Sequence, residues 1–294
     1  MPLDQDKLES SFRKLRKSLK SVPKQPSPDE VHDLRTRTRR LESTLHALML
    51  DQKQDGQRLL QIVSPIRKKA GKVRDMDVLT NFAASLANDD QECRTQLLEH
   101  LGARRLQSAR RLRDTVAQKR QKARRRLGQY SRFIGSSVTA SRKNGSNNQR
   151  WPAEATATAL QLSSELTAWP RLNASNLHPY RLKVKELRYV LQLAEGQDSE
   201  FIDGLGEVKD AIGEWHDWNE LAAAATETLD HGSRCKVLKQ IRETATAKFD
   251  HALSLAEAMR KKFLGASSGR SAGRRGGPAK LKQPVLITAA RLAA

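Results

Sequence analysis

Two stretches of this chain, 146 residues apart, carry the same side chains at the same helical spacing, and that repeat constrains the fold more than any other feature. The first reads Val31-His32-Asp33-Leu34-Arg35-Thr36-Arg37-Thr38-Arg39-Arg40-Leu41 and the second Leu177-His178-Pro179-Tyr180-Arg181-Leu182-Lys183-Val184-Lys185-Glu186-Leu187. His32, Arg35 and Arg39 stand at i, i+3 and i+7, and His178, Arg181 and Lys185 repeat the interval, so each trio shares one face of a helix. A duplicated row of cations, each led by a histidine, is a surface suited to something long and negative.

The apolar residues define where those rows lie. Val31, Leu34, Leu41, Leu45 and Leu48 form the core face of the first helix; Leu177, Tyr180, Val184, Leu187 and Leu191 form that of the second. The cations, with Arg188 in the second copy, flank these faces instead of pointing directly away, a placement that fits the wall of a groove.

A second element follows each copy at an offset of 142 residues. Arg67, Gly71 and Arg74 precede Asp75-Met76-Asp77-Val78-Leu79; Lys209, Gly213 and His216 precede Asp217-Trp218-Asn219-Glu220-Leu221. The two cationic positions are seven apart on one face, and the glycine between them leaves room for a ligand backbone to approach. Asp75 and Asp77 are candidate metal ligands, but each is surrounded by Arg and Lys, and a divalent-cation site needs carboxylates with little competing positive charge. The reading preferred here is that Asp75 and Asp217 hold neighbouring cations in place, with no metal site and no cofactor.

Charge balance agrees. The 294 residues contain 54 Lys and Arg against 33 Asp and Glu, a formal net charge of +21, which points to a polyanionic partner. Strand alternation is almost absent while apolar residues recur at helical intervals, so the fold class is all-α. Helices are expected over residues 3–21, from a Ser27 cap with Pro28 at the first turn and Glu30 reciprocating, from Pro65 to Leu86, over 90–134 with a break at Gly102, and then over 153–168, 177–194, 199–229 and 233–264. Residues 135–151 read as a flexible connection and 266–294 as a disordered basic tail. Cys93 and Cys235 are far apart in sequence, with no zinc-ligand spacing, which suggests reduced thiols in the cytoplasm. No signal peptide and no apolar run of membrane-spanning length is present, so no membrane insertion is expected.

The His-x-x-Arg-x-x-x-Arg helix, the Arg-Asp-x-Asp-Val-Leu segment and their weaker second copies resemble the CHAD family, the conserved histidine α-helical domain. The resemblance covers about residues 5 to 265 through four separated motifs in order. It implies two four-helix-bundle halves related by pseudo-two-fold symmetry (about 1–134 and 152–265), a basic central groove or cavity, and non-enzymatic binding of inorganic polyphosphate, with polyphosphate granules as an associated location. Carried over, the ligand residues are His32, Arg35, Arg39, Arg40, Arg67, Arg74, His178, Arg181, Lys185, Arg188, Lys209 and His216, with no catalytic residue. Glu186 at the place of Arg40, and Asn219 where an Asp is usual, suggest weaker binding by the second half. No Glu-x-Glu-x-Lys strand of the accompanying CYTH type is present, so the chain reads as a stand-alone module.

Two alternatives come from other classes. Sequence-independent nucleic-acid binding would use the basic run from Arg104 to Arg126 and the basic tail, although no exposed aromatic series accompanies them for stacking. A metal-dependent phosphohydrolase would use the aspartates.

Overall fold

Several helices start where the sequence supplies an acceptor for their free N–H groups. The computed structural model describes residues 3–20, 22–23, 25–87, 90–143, 150–194, 198–229 and 235–265, and of these the side chains outside residues 5, 135–143 and 150–152. Asp4 accepts from Lys7 N at 3.1 Å to open α1 (Gln5–Ser18). Ser27 opens α2 (Pro28–Ala47) as a complete capping box, its Oγ accepting from Glu30 N at 3.2 Å while Ser27 N donates to Glu30 Oε2 at 2.8 Å. A short 3₁₀ turn at Leu50–Gln52 leads into α3 (Gln54–Ser85). The series continues with α4 (Gln91–Lys143), α5 (Arg150–Thr167), α6 (Leu177–Leu191), α7 (Ser199–Thr228) and α8 (Lys236–Phe263). The fold is all-α; among the described residues there is no strand, only an isolated bridge between Leu3 and Ala194.

Three helix boundaries differ from the sequence reading. Pro65 lies inside α3 and not at its start. Its missing N–H removes one ladder bond, but Leu59, Ile62, Val63 and Ile66 are buried on both sides of it and hold the helix against the core. Gly102 does not break α4, because Leu97, Leu101, Ala109, Leu112 and Val116 keep one buried face running past it. The same helix is still helical through Lys143, so the expected flexible connection at 135–151 is partly α4 and α5; residues 144–149 lie outside the described residues, as does the tail 266–294.

In each half the helices pack in chain order, α1 on α2, α2 on α3 and α3 on α4, then α5 on α6, α6 on α7 and α7 on α8. The halves join where α2 meets α6 and α3 meets α7. One core cluster takes side chains from all eight helices, including the predicted core faces of α2 and α6 and Leu8, Phe12, Leu15 and Leu19 of α1. A second cluster gathers the end of α3, the start of α4, the end of α7 and the start of α8, with Phe82 stacked on Trp218 at 4.6 Å.

That second cluster also holds the two cysteines, which are free thiols. Cys93 and Cys235, 142 residues apart, are both buried and meet near Asp90, with one ligand-type atom from each of the three lying within 4.8 Å of the others. Sequence spacing could not show this, because the two thiols sit at matching turns of different halves.

Candidate functional site

The motif helices α2, α3, α6 and α7 bring their cations together where the halves meet, close enough to act on one another, a meeting place we call the trough. Arg35 leaves α2 and crosses Gly71 of α3, its Nε 3.5 Å from the place a Cβ would occupy, and its Nη2 stands 3.3 Å from Asp75 Oδ1. Arg181 repeats the arrangement between α6 and α7. Its Nε donates to the Lys209 carbonyl at 2.8 Å, and its guanidinium fills the space over Gly213, where a Cβ would come within 2.5 Å of Nη2. The two glycines therefore do not leave room for a ligand, as the sequence suggested; each receives the arginine of the neighbouring helix.

A third pair of contacts recurs at the same offsets with exchanged chemistry. Arg188 donates to the Ile202 carbonyl at 3.2 Å beside Gly206, while in the first copy Glu42 accepts from Ser64 Oγ at 2.6 Å and pairs with Arg67 Nε at 2.5 Å.

Arg39 and Lys185 occupy equivalent places in the two rows, and among the described residues neither has a carboxylate within ion-pair distance. Lys185 is pushed down to about 6 by burial and then by the charges of Arg39, Arg181, Arg35 and Arg67. Arg39 is pushed down to about 10 by burial and by Arg35, Arg181 and Arg67, so it stays charged across the physiological range. His178 lies against His216 with ring centroids 4.0 Å apart and the planes tilted by 45°, and burial followed by the His216, Arg181, Lys185 and Arg39 charges lowers it to about 4. Its Nδ1 is buried without a hydrogen-bond partner. On the acidic side, burial raises Asp217 and Asp75 while Arg181 and Arg35 respectively oppose it; Asp75 is crowded by these cations yet keeps about half of its side chain, 52%, open to solvent.

Arg39 therefore keeps its charge with no carboxylate partner, beside a Lys185 whose charged form is disfavoured by burial and by the arginines around it. The family described as the CHAD domain matches residues 7–226. The chain belongs to the CHAD domain family. Among solved structures, the CHAD domain from the plant Ricinus communis matches with a TM-score of 0.64 at 15% identity, covering 91% of this chain and 95% of that one. PptA from Streptomyces chartreusis matches with a TM-score of 0.57 at 16% identity, covering 89% of this chain and 100% of that one. At these identities the likeness is one of fold. No protein of curated function matches the sequence.

In this CHAD domain the trough gathers Arg35, Arg39, Arg67, His178, Arg181, Lys185 and His216 from the twelve residues singled out in the sequence. The rest are placed differently. His32 is exposed, with Nε2 3.5 Å from Thr36 Oγ1. Arg40 lines a neighbouring cavity on the α1 side with Lys7, Lys14, Arg37 and Tyr189. Lys209 pairs with Asp210 at 2.6 Å, Arg188 joins α6 to α7, and Arg74 is half-buried on α3. Asp77 is buried and holds Arg105 Nε at 2.5 Å, while Arg105 also donates to the Pro26 carbonyl at 3.1 Å, so this aspartate ties α3, α4 and the approach to α2 together. Asn219, in the matching place, is exposed and makes no such tie.

Sequence reasoning missed His46 and Tyr189. His46 joins the halves through Glu186 at 2.6 Å and also pairs with Asp51 of its own half at 3.0 Å, and its bond to Glu186 leads the causes that raise it to about 9. Glu186 was visible as an interruption of the cationic row, but its partner stands 140 residues away.

Proposed function

We propose that this CHAD domain binds inorganic polyphosphate in the trough between α2, α3, α6 and α7 and does not turn it over. The observation that carries this reading is the meeting of Arg39 and Lys185 without counter-ions, backed by Arg35, Arg181 and Arg67. Such a cluster is electrostatically unfavourable when empty, and a ligand with a negative charge on every unit relieves it. Planar guanidinium groups suit bidentate contact with phosphate oxygens, and the seating of Arg35 and Arg181 over glycines orients them before the ligand arrives. Membership of the family points to the same ligand.

Binding without hydrolysis is supported by the state of the carboxylates. Asp75 is engaged by Arg35 and Asp217 lies under the charge of Arg181; Asp75, Asp217 and Glu220 are near neighbours, but among the described residues they do not bring three ligand atoms within 4.8 Å of one another as a Mg²⁺ or Mn²⁺ site requires. Titration with long-chain polyphosphate tests the reading. Arg35→Glu/Arg39→Glu should abolish most affinity with helical content intact, and polyphosphate should displace DNA or RNA at equal charge concentration. Retained affinity in the double variant, or preference for nucleic acid, would reverse the assignment; chain shortening with Mg²⁺ that disappears in Asp75→Ala would establish an enzyme. Cytoplasmic location with polyphosphate granules is part of the same proposal; among the described residues no helix is long and apolar enough to cross a membrane.

A further inference from the structure

Outside the trough, α1 and α4 form a groove of about 710 Å³ whose walls carry Arg13, Arg16, Lys17, Lys20, Arg124, Arg125 and Arg132, and no acidic residue lines it. Arg13, Arg16 and Lys17 of α1 stand at i, i+3 and i+4 on one stripe, Lys20 follows in the turn after the helix, and the α4 residues face them across Gly128. Arg16 lies over that glycine with Cζ 3.5 Å from the place of a Cβ, the same seating seen for Arg35 and Arg181. Arg132 Nε donates to the Gly128 carbonyl at 3.3 Å. Among the described residues none of the seven has a carboxylate within ion-pair distance, whereas Arg126 on the next face of α4 is paired with Asp55 at 3.2 Å.

A basic path leads from the trough to this groove. Tyr189 lies close enough to act on Arg39 and Arg181, and it also lines the neighbouring cavity with Arg40 and Lys14. Lys14 and Lys17, one turn apart and both exposed, line the next cavity, where Asp33 is paired with Arg37 and Glu30 caps α2, and Lys17 belongs to the groove as well.

We propose that the α1–α4 groove is a second seat for the same polyphosphate chain, reached over Arg40, Lys14 and Lys17, so that long chains occupy both the trough and the groove. The inference rests on the trough reading given above. Its physical content is multivalency: a chain fixed in the trough presents its remaining phosphates to the groove at high effective concentration, and chain length then sets affinity. A ligand too short to span the path gains nothing from the groove.

The test compares inorganic tripolyphosphate with long-chain polyphosphate on the full chain, using Arg13→Gln/Arg16→Gln/Arg132→Gln and, as a control with equal charge removed from exposed positions of α4, Arg104→Gln/Arg110→Gln/Arg111→Gln. Glutamine keeps helix propensity, and circular dichroism confirms the fold of both variants. The groove variant should lose about tenfold or more in affinity for the long chain while tripolyphosphate binding is unchanged, and the control should lose far less. Equal long-chain affinity in wild type and groove variant would overturn the second seat and leave the trough intact. Equal losses in groove variant and control would overturn it in favour of diffuse charge. Failure of the trough itself shows separately, as tripolyphosphate binding that survives Arg39→Glu.

Discussion

Lys185 makes the occupancy of the trough depend on pH in a way that can be measured. In the empty protein burial and the surrounding arginines hold its ammonium at about 6, against an ordinary value of 10.5. Phosphate oxygens beside it restore the charged form, so between these two values binding takes up one proton, and the association constant rises about tenfold for each pH unit of acidification. At about pH 8 only about one empty trough in a hundred carries a charged Lys185, so nearly a full proton enters with each chain. Internal phosphates of a long chain stay ionised over this range and add little of their own. Calorimetry at about pH 8 in buffers of different ionisation enthalpy reads the uptake directly. Lys185→Arg, which keeps its charge, should bind more tightly at about pH 9 and lose the proton uptake. The reasoning fails if wild-type affinity is flat between about pH 7 and 9, or if Lys185→Arg retains the same slope. The sign for stability is the opposite one: with the folded value below the unfolded one, the empty protein gains stability from this group as pH rises between about 6 and 10.5.

Three other outcomes follow from named contacts. Arg110→Glu/Arg111→Glu, at exposed positions of α4, should weaken polyphosphate binding much less than Arg35→Glu/Arg39→Glu, and equal losses in the same titration would mean that no defined site exists. Gly213→Ala puts a methyl 2.5 Å from Arg181 Nη2 and should unseat that guanidinium, lowering affinity severalfold, while Gly71→Ala meets Arg35 only at 3.5 Å and should bind normally with a slightly raised Tm. Asp77→Ala leaves Arg105 without its carboxylate beneath the Pro26 loop and should cost about 2 kcal/mol in urea unfolding; a loss below the error of that measurement would show the tie to be unimportant.

The local code was readable because it is periodic. Leu8 to Leu19, the apolar faces of α2 and α6, and the Ser27 capping box all appear as the spacing required, since each depends on neighbours within a few residues. What spacing does not contain is which helix meets which. That is why Gly71 and Gly213 read as open floor and are in fact seats for Arg35 and Arg181, and why Arg188, Lys209 and Arg67 turn to protein partners while Arg39 and Lys185 do not. The same blindness hid the meeting of Cys93 with Cys235 and the bond from His46 to Glu186. Pro65 misled for a different reason: tertiary burial on both sides of it outweighs a local rule about helix starts.

The clasp of His46 on Glu186 sets α2 against α6, the two helices whose like charges press outward across the trough. The unliganded molecule is thus a compressed spring with a latch. Dissolved ions relax the compression, so moderate salt should toughen the vacant form against heat even as it loosens the grip on a polyanion, and the two responses to one variable should run in opposite directions.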